Sequence, residues 1–128
     1  MKELAVDTSV YVDYLRGESA ARDKLESAVR IALPAAAVGE IMSGFRSAEA
    51  GKRDRALYDE FCRVFDVLIL PVTEKTAEHY AHIMRWLKSQ GTPVPANDIW
   101  IAAAALEHGM PLATSDNHYK KIPHVILV

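Results

Sequence analysis

The chain has 128 residues, half of them apolar and a quarter charged, with 15 basic against 17 acidic residues and a net charge of −2. That length predicts one domain over residues 1–128, and the balance argues against disorder and lacks the basic excess usual in nucleic-acid binders. No run approaches a membrane span, the opening MKELAVD lacks a signal-peptide layout, and the lone Cys62 excludes an internal disulfide, so the cytoplasm is the expected location.

Residues 3–6 (ELAV) read as a short strand, ended by Asp7-Thr8-Ser9, a polar trio suited to cap a helix. That helix reaches about Arg16, where Gly17 punctuates, and another spans Ser19 to about Val29. Arg30–Leu33 reads as a second strand, closed by Pro34. From Ala35, Val38, Ile41, Met42 and Phe45 recur at the spacing of a helix packed on a core. Leu57, Phe61, Val64 and Phe65 repeat it in the next helix, which also holds Cys62 as an inert thiol. Val67–Leu70 is a β-favouring run ended by Pro71. A long helix begins near Thr73-Glu74 and stops before Gly91, with Ala77, Tyr80, Ala81, Met84 and Leu87 on its apolar face. Asn97–Leu106 is helical, Pro111–Thr114 a strand, and Val125–Val128 a terminal strand. Short apolar strands alternating with helices predict an α/β fold with a parallel sheet covered on both faces. Such sheets bind ligands beyond the carboxyl ends of their strands, where strand order reverses.

Four acids stand where separate segments turn a corner: Asp7, Glu40, Asp98 and Asp116. Each has a plainer reading alone. Asp7 suits a helix cap, Glu40 an exposed helix position, Asp98 the positive end of a helix, and Asp116, between Ser115 and Asn117, a turn. Together they stand in apolar surroundings, and two follow strands directly. Carboxylates crowded in such a place raise one another's pKa unless a cation holds them ionised. Magnesium and manganese suit all-oxygen sites and support phosphoryl chemistry, for which no histidine, cysteine or lysine is needed.

The segments AVDTSVYVDYLRGE, PANDIWIAAAALEHG and LATSDNHYKKI, with a glutamate-bearing helix between the first two, resemble those of PIN-domain ribonucleases, and specifically VapC-type toxins of toxin–antitoxin pairs. The resemblance covers the whole chain. It implies a three-layer α/β/α fold with a central parallel sheet of four to five short strands. It also implies an endoribonuclease using Mg²⁺ or Mn²⁺, with Asp7 and Asp98 as principal ligands and Glu40 and Asp116 completing the site. Thr8, Ser9, Asn97 and Thr114 would support the acids, and the partners would be RNA, a cognate antitoxin whose tail blocks the acidic groove, and a second copy of the chain. Tyr119 stands where phenylalanine is common, a mild departure. Asp13 reads as an exposed or supporting residue.

Arg46, Lys52, Arg53 and Arg55 suit either RNA phosphates, the acids of an antitoxin, or a solvated helix face. The aromatics Tyr58, Phe61 and Phe65 suit a core or a protein interface, and Trp86 and Trp100 suit the core better than base stacking. The five histidines are scattered; His79 and His82, three apart on a helix, lack further ligands for zinc. Other classes fit less well. A receiver-like phospho-acceptor needs an aspartate after the third strand and a lysine near the last. A silent binding module has no use for four acids, and a DNA flap nuclease needs more length for its arch.

Overall fold

The computed structural model describes residues 2–128. Its elements in chain order are β1 (Glu3–Val6), α1 (Thr8–Leu15), α2 (Ser19–Ser27), β2 (Arg30–Pro34), α3 (Ala35–Ser43), α4 (Ala48–Val64), β3 (Leu68–Leu70), α5 (Glu74–Gln90), α6 (Ala96–Glu107) and β4 (Leu112–Ala113), followed by a 3₁₀ turn over Asn117–Lys121. The four strands form one parallel sheet in the order β3-β2-β1-β4. The chain therefore winds outward from β1 through β2 to β3, then returns to add β4 on the other side. Strand order reverses between β1 and β4, and ligands of such sheets gather beyond that point.

The strands are short because each is an apolar run stopped by a polar residue or proline; β1, β2 and β4 are largely buried, whereas Leu68 and Ile69 of the edge strand β3 are exposed. Ala5, Val6, Ala32, Leu33, Leu112 and Ala113 are fully buried, as strands covered on both faces must be. Helix α6 is buried nearly all round, its centre being Ile101 and the alanines 102–105. Small side chains let it lie close to β2, α3 and α5, and that burial carries the first turn of α6 to the sheet edge.

Several boundaries differ from the expectations: β3 (Leu68–Leu70) and β4 (Leu112–Ala113) are shorter than the expected Val67–Leu70 and Pro111–Thr114. The Val125–Val128 strand is reduced to one parallel bridge between Leu112 and Leu127. Leu112 donates to Ile126 O at 2.8 Å and accepts from Val128 N at 3.0 Å, and the two-residue β4 leaves no further partner. Helix α3 stops at Ser43 rather than continuing through Phe45, because Gly44 caps it with its N–H on the Glu40 and Ile41 carbonyls. Helix α2 ends at Ser27, two residues short of Val29.

Of the aromatics, Tyr58 and Phe61 are buried and Phe65 is half-buried. The Phe61 ring stands edge-on to Tyr11 at 4.9 Å and to Tyr14 at 5.5 Å, which makes it core. Trp100 stacks on Tyr80 at 4.0 Å, and Trp86 meets His124 edge-on at 5.2 Å.

The α3–α4 turn is held by Arg46 and Asp54. Asp54 accepts from the Arg46 backbone N–H at 2.8 Å and from its guanidinium at 3.0 and 2.7 Å. Those bonds hold its carboxyl well below the usual range, at about 2. The turn brings the Arg46 carbonyl so near α4 that a Cβ on Gly51 would lie 2.0 Å from its oxygen. Gly51→Ala is expected to lower stability by about 1–3 kcal/mol, the usual cost of overpacking. Urea unfolding checks this, and a variant as stable as the parent refutes it.

Candidate metal centre

Asp7 leaves the end of β1, and its backbone N–H donates to Ala113 O of β4 at 3.0 Å, which fixes it at the boundary where strand order reverses. It occupies the N-cap position of α1, yet its side chain caps nothing. Its Oδ2 instead accepts from Ser9 Oγ and Thr114 Oγ1, each at 2.8 Å. Its Oδ1 accepts from the Tyr119 hydroxyl at 2.9 Å. The carboxylate is 3 % exposed and held by three hydroxyls. A carboxylate this buried and this oriented is not a helix cap.

Asp98 sits in the first turn of α6 and is also buried, at 8 % exposed. The Tyr119 hydroxyl approaches its Oδ1 at 3.4 Å, so one phenol joins the two principal acids. Glu40, half-buried on α3, accepts from Thr8 Oγ1 at 3.1 Å. Asp116 follows β4, with its N–H on Thr114 Oγ1 at 3.0 Å, while its Oδ1 caps the 3₁₀ turn through His118 N at 2.9 Å. Its turn role and its place at the site therefore coexist. Glu40, Asn97, Asp98, Asp116 and His118 line an open cavity of about 480 Å³. Five separate segments thus meet at one sheet edge: the β1–α1 corner, α3, the start of α6, the end of β4 and the 3₁₀ turn.

The electrostatics follow from the crowding. Burial pushes the Asp98 carboxyl above its ordinary value, Asp116 and Asp7 push it further, and His118 and Tyr119 pull it back. Burial likewise raises Glu40, opposed by the Thr8 hydroxyl and the Asn97 amide and assisted by Asp7 and Asp98. Tyr119 is fully buried among these anions, and burial first, then Asp7 and Asp98, raises its pKa so far that it remains a hydrogen-bond donor. Among the described residues, no lysine or arginine bonds any of the four carboxylates. Oxygen donors without a basic counter-charge fit a hard divalent cation.

The supporting residues fall beside their acids: Thr8 on Glu40, Ser9 and Thr114 on Asp7, and Asn97 by Glu40. Asp13 accepts from Ser115 Oγ at 2.9 Å, which ties α1 to the loop after β4. The basic cluster is mostly engaged locally: Lys52 with Glu49 at 3.1 Å and Arg55 with Asp59 at 3.1 Å, both along exposed α4. Arg46 alone of the four borders a second, largely apolar cavity of about 740 Å³. That cavity runs past Tyr11, Leu15, Phe45 and Leu57 and ends at Thr8 and Glu40, on the margin of the acidic site.

Two residues matter more than the sequence suggested. Tyr119 is no mild departure, because its added hydroxyl is the link between Asp7 and Asp98. His118, one of the scattered histidines, sets Nδ1 at 3.2 Å from Asp98 Oδ2 and 3.1 Å from Asp116 Oδ1. The only hint in the sequence was its position two residues after Asp116.

Residues 4–125 match the PIN domain family. The chain is 33% identical over 94 residues to ribonuclease VapC4 of Mycobacterium tuberculosis, spanning 71% of this chain and 70% of that one. Its fold matches a solved VapBC2 structure from Rickettsia felis, bound to a promoter DNA fragment, with a TM-score of 0.86 and 21% identity over 98% of this chain and 97% of that one. It also matches VapBC-5 of M. tuberculosis, described as a member of a family of toxin–antitoxin systems, with a TM-score of 0.76 and 23% identity over 98% and 97% of the two chains. The four-stranded parallel sheet flanked by helices agrees with these matches, and the chain belongs to the PIN-domain family.

Proposed function

We propose that this chain is a Mg²⁺- or Mn²⁺-dependent endoribonuclease, the toxin of a type II toxin–antitoxin pair, cleaving RNA phosphodiester bonds at its four-carboxylate site. The observation that carries this reading is the meeting of Asp7, Glu40, Asp98 and Asp116 at the edge between β1 and β4, two of them buried. A relative 33% identical is a ribonuclease by name, which supports RNA as the substrate.

In this reading Asp7 and Asp98 hold the cation, and Glu40 and Asp116 complete the site from the rim. A divalent cation there would supply Lewis-acid stabilisation of charge developing on the phosphate. The chain's own residues keep the donors aimed. Ser9 and Thr114 bind one oxygen of Asp7 and Tyr119 the other, which fixes the orientation of its carboxylate. Thr8 and Asn97 oppose the upward push that burial gives the Glu40 carboxyl. The cavity is open, so a phosphodiester in a single strand or flexible loop can reach it, whereas a base-paired helix presents its phosphates less readily.

The apolar cavity beside Glu40, with Arg46 on its border, suits an antitoxin tail that covers the acidic site, and a homodimer in the cytoplasm completes the reading. Among the described residues no helix is long and apolar enough to cross a membrane.

Purified chain incubated with RNA is expected to cleave it when Mg²⁺ or Mn²⁺ is present and to stop when EDTA removes the ion. Cleavage that persists at full rate in EDTA would overturn the proposal.

A further inference from the structure

Building on the cation-site reading above, we propose that His118 is a nitrogen ligand that tilts the acidic site towards Mn²⁺ and similar transition cations over Mg²⁺. It would act with Asp98 and Asp116 at the outer side of the pocket. The four carboxylates offer oxygen alone, and this imidazole places a nitrogen beside two of them.

The placement of the ring follows from the 3₁₀ turn. Asp116 caps that turn by accepting from the His118 backbone N–H at 2.9 Å, which fixes the point from which the ring leaves the chain beside Asp116. The same turn buries Tyr119 beneath the acids, which anchors the adjacent residue from the other side. His118 is left about half exposed, at 48 % of its side chain, with its ring on the wall of the acidic cavity.

The separations suit a shared ion. His118 Nδ1 stands 3.1 Å from Asp116 Oδ1 and 3.2 Å from Asp98 Oδ2, and one donor atom from each of the three lies within 4.8 Å of the others. Neighbouring ligands around an octahedral ion with bonds of about 2.1–2.2 Å are about 3.0–3.1 Å apart. The two separations from His118 Nδ1 already stand close to that spacing. An imidazole lying between the acids as a plain counter-ion would show similar distances. The two roles diverge in their chemistry: Mg²⁺ prefers oxygen and holds its waters, whereas imidazole suits transition ions.

The decisive experiment titrates the purified, metal-free full chain with Mg²⁺, Mn²⁺ and Co²⁺ by calorimetry, alongside His118→Phe and His118→Asn. Both variants change a half-exposed side chain, and a melt in EDTA verifies their fold. The variants are expected to lose roughly tenfold or more in affinity for Mn²⁺ and Co²⁺, with Mg²⁺ changed by less than about threefold. Pulsed EPR of the Mn²⁺-loaded wild type should show a nitrogen nuclear coupling that both variants lack. Affinities for all three ions moving by one common factor, or a wild-type spectrum without that coupling, would overturn the role of His118. In that case Mg²⁺ binding by the wild type leaves the parent reading standing. A wild type that binds none of the three ions sinks both.

Discussion

Asp98→Asn is expected to cut cation-dependent RNA cleavage by on the order of a hundredfold or more, since a cation at the phosphate supplies several kcal/mol and each 1.36 kcal/mol is tenfold in rate. The same change should leave the metal-free protein at least as stable as the wild type. Burial, then Asp116 and Asp7, holds the Asp98 carboxyl above its ordinary pKa. A raised folded pKa means that the native state binds this proton more tightly than the unfolded chain does. The associated stability is complete below the unfolded pKa and is lost as pH rises through the raised folded value. At neutral pH the ionised Asp98 is therefore a cost to folding, and Glu40 contributes with the same sign.

Asparagine removes the charge and keeps an oxygen for the Tyr119 hydroxyl. Losing a negative charge from the first turn of α6 offsets part of the gain, by about 0.3–1 kcal/mol. Melts in EDTA across acid to neutral pH test the stability claim. The variant's advantage should be largest near neutrality and shrink as pH falls through the carboxylate range. Wild-type cleavage by Asp98→Asn would refute the assignment of the site. A variant melting far below its parent at neutral pH would show that Asp98 is a structural residue.

The sheet and the four acids were legible because both are written as local contrasts. An apolar run that stops dead at Asp7, or at Thr114-Ser115-Asp116, marks the carboxyl end of a buried strand without any knowledge of the partner strands. Asp98, at the head of the apolar segment Ile99–Ala105, suits a helix N-terminus when taken alone and was legible only in company with the other three acids. Glu40 was less so, since a glutamate beside an apolar stripe looks the same whether it faces solvent or the site. Only the packing of α3 against α6 settles which. The four apolar residues Val125–Val128 predict a terminal strand, but a strand pairs only as far as its neighbour extends, and β4 has two residues.

Tyr119 and His118 show the limit most clearly. An aromatic residue is equally explained by core packing, and a histidine near a turn by solvent. Their roles depend on where a hydroxyl and a ring nitrogen lie relative to two acids some twenty and more than a hundred residues away. The cavity bordered by Arg46 was hidden for the same reason, as it joins α1, α3 and α4.

Tyr119→Phe should destabilise the metal-free protein by about 1.5–3 kcal/mol, the usual worth of a hydrogen bond to a charged group. The ring is fully buried and phenylalanine fills the same volume, so packing is preserved and the hydroxyl alone is deleted. Among the described residues that hydroxyl is the only hydrogen-bond donor to Asp7 Oδ1, at 2.9 Å, and it also approaches Asp98 Oδ1 at 3.4 Å. Without it two buried carboxylates face each other with less compensation, which is costly in a low-dielectric site. A divalent cation supplies the missing positive charge from another direction. The stability gap between tyrosine and phenylalanine forms should therefore be wide in EDTA and narrower at saturating Mn²⁺, because binding to the native state adds its own free energy. Urea unfolding in both conditions reads the two gaps directly. A double-mutant cycle with Asp7→Asn provides the control: once one of the facing charges is gone, deleting the hydroxyl should cost less than it does in the parent. Equal gaps with and without the ion would mean that the hydroxyl only fills a polar niche in the core and does nothing for the acid pair.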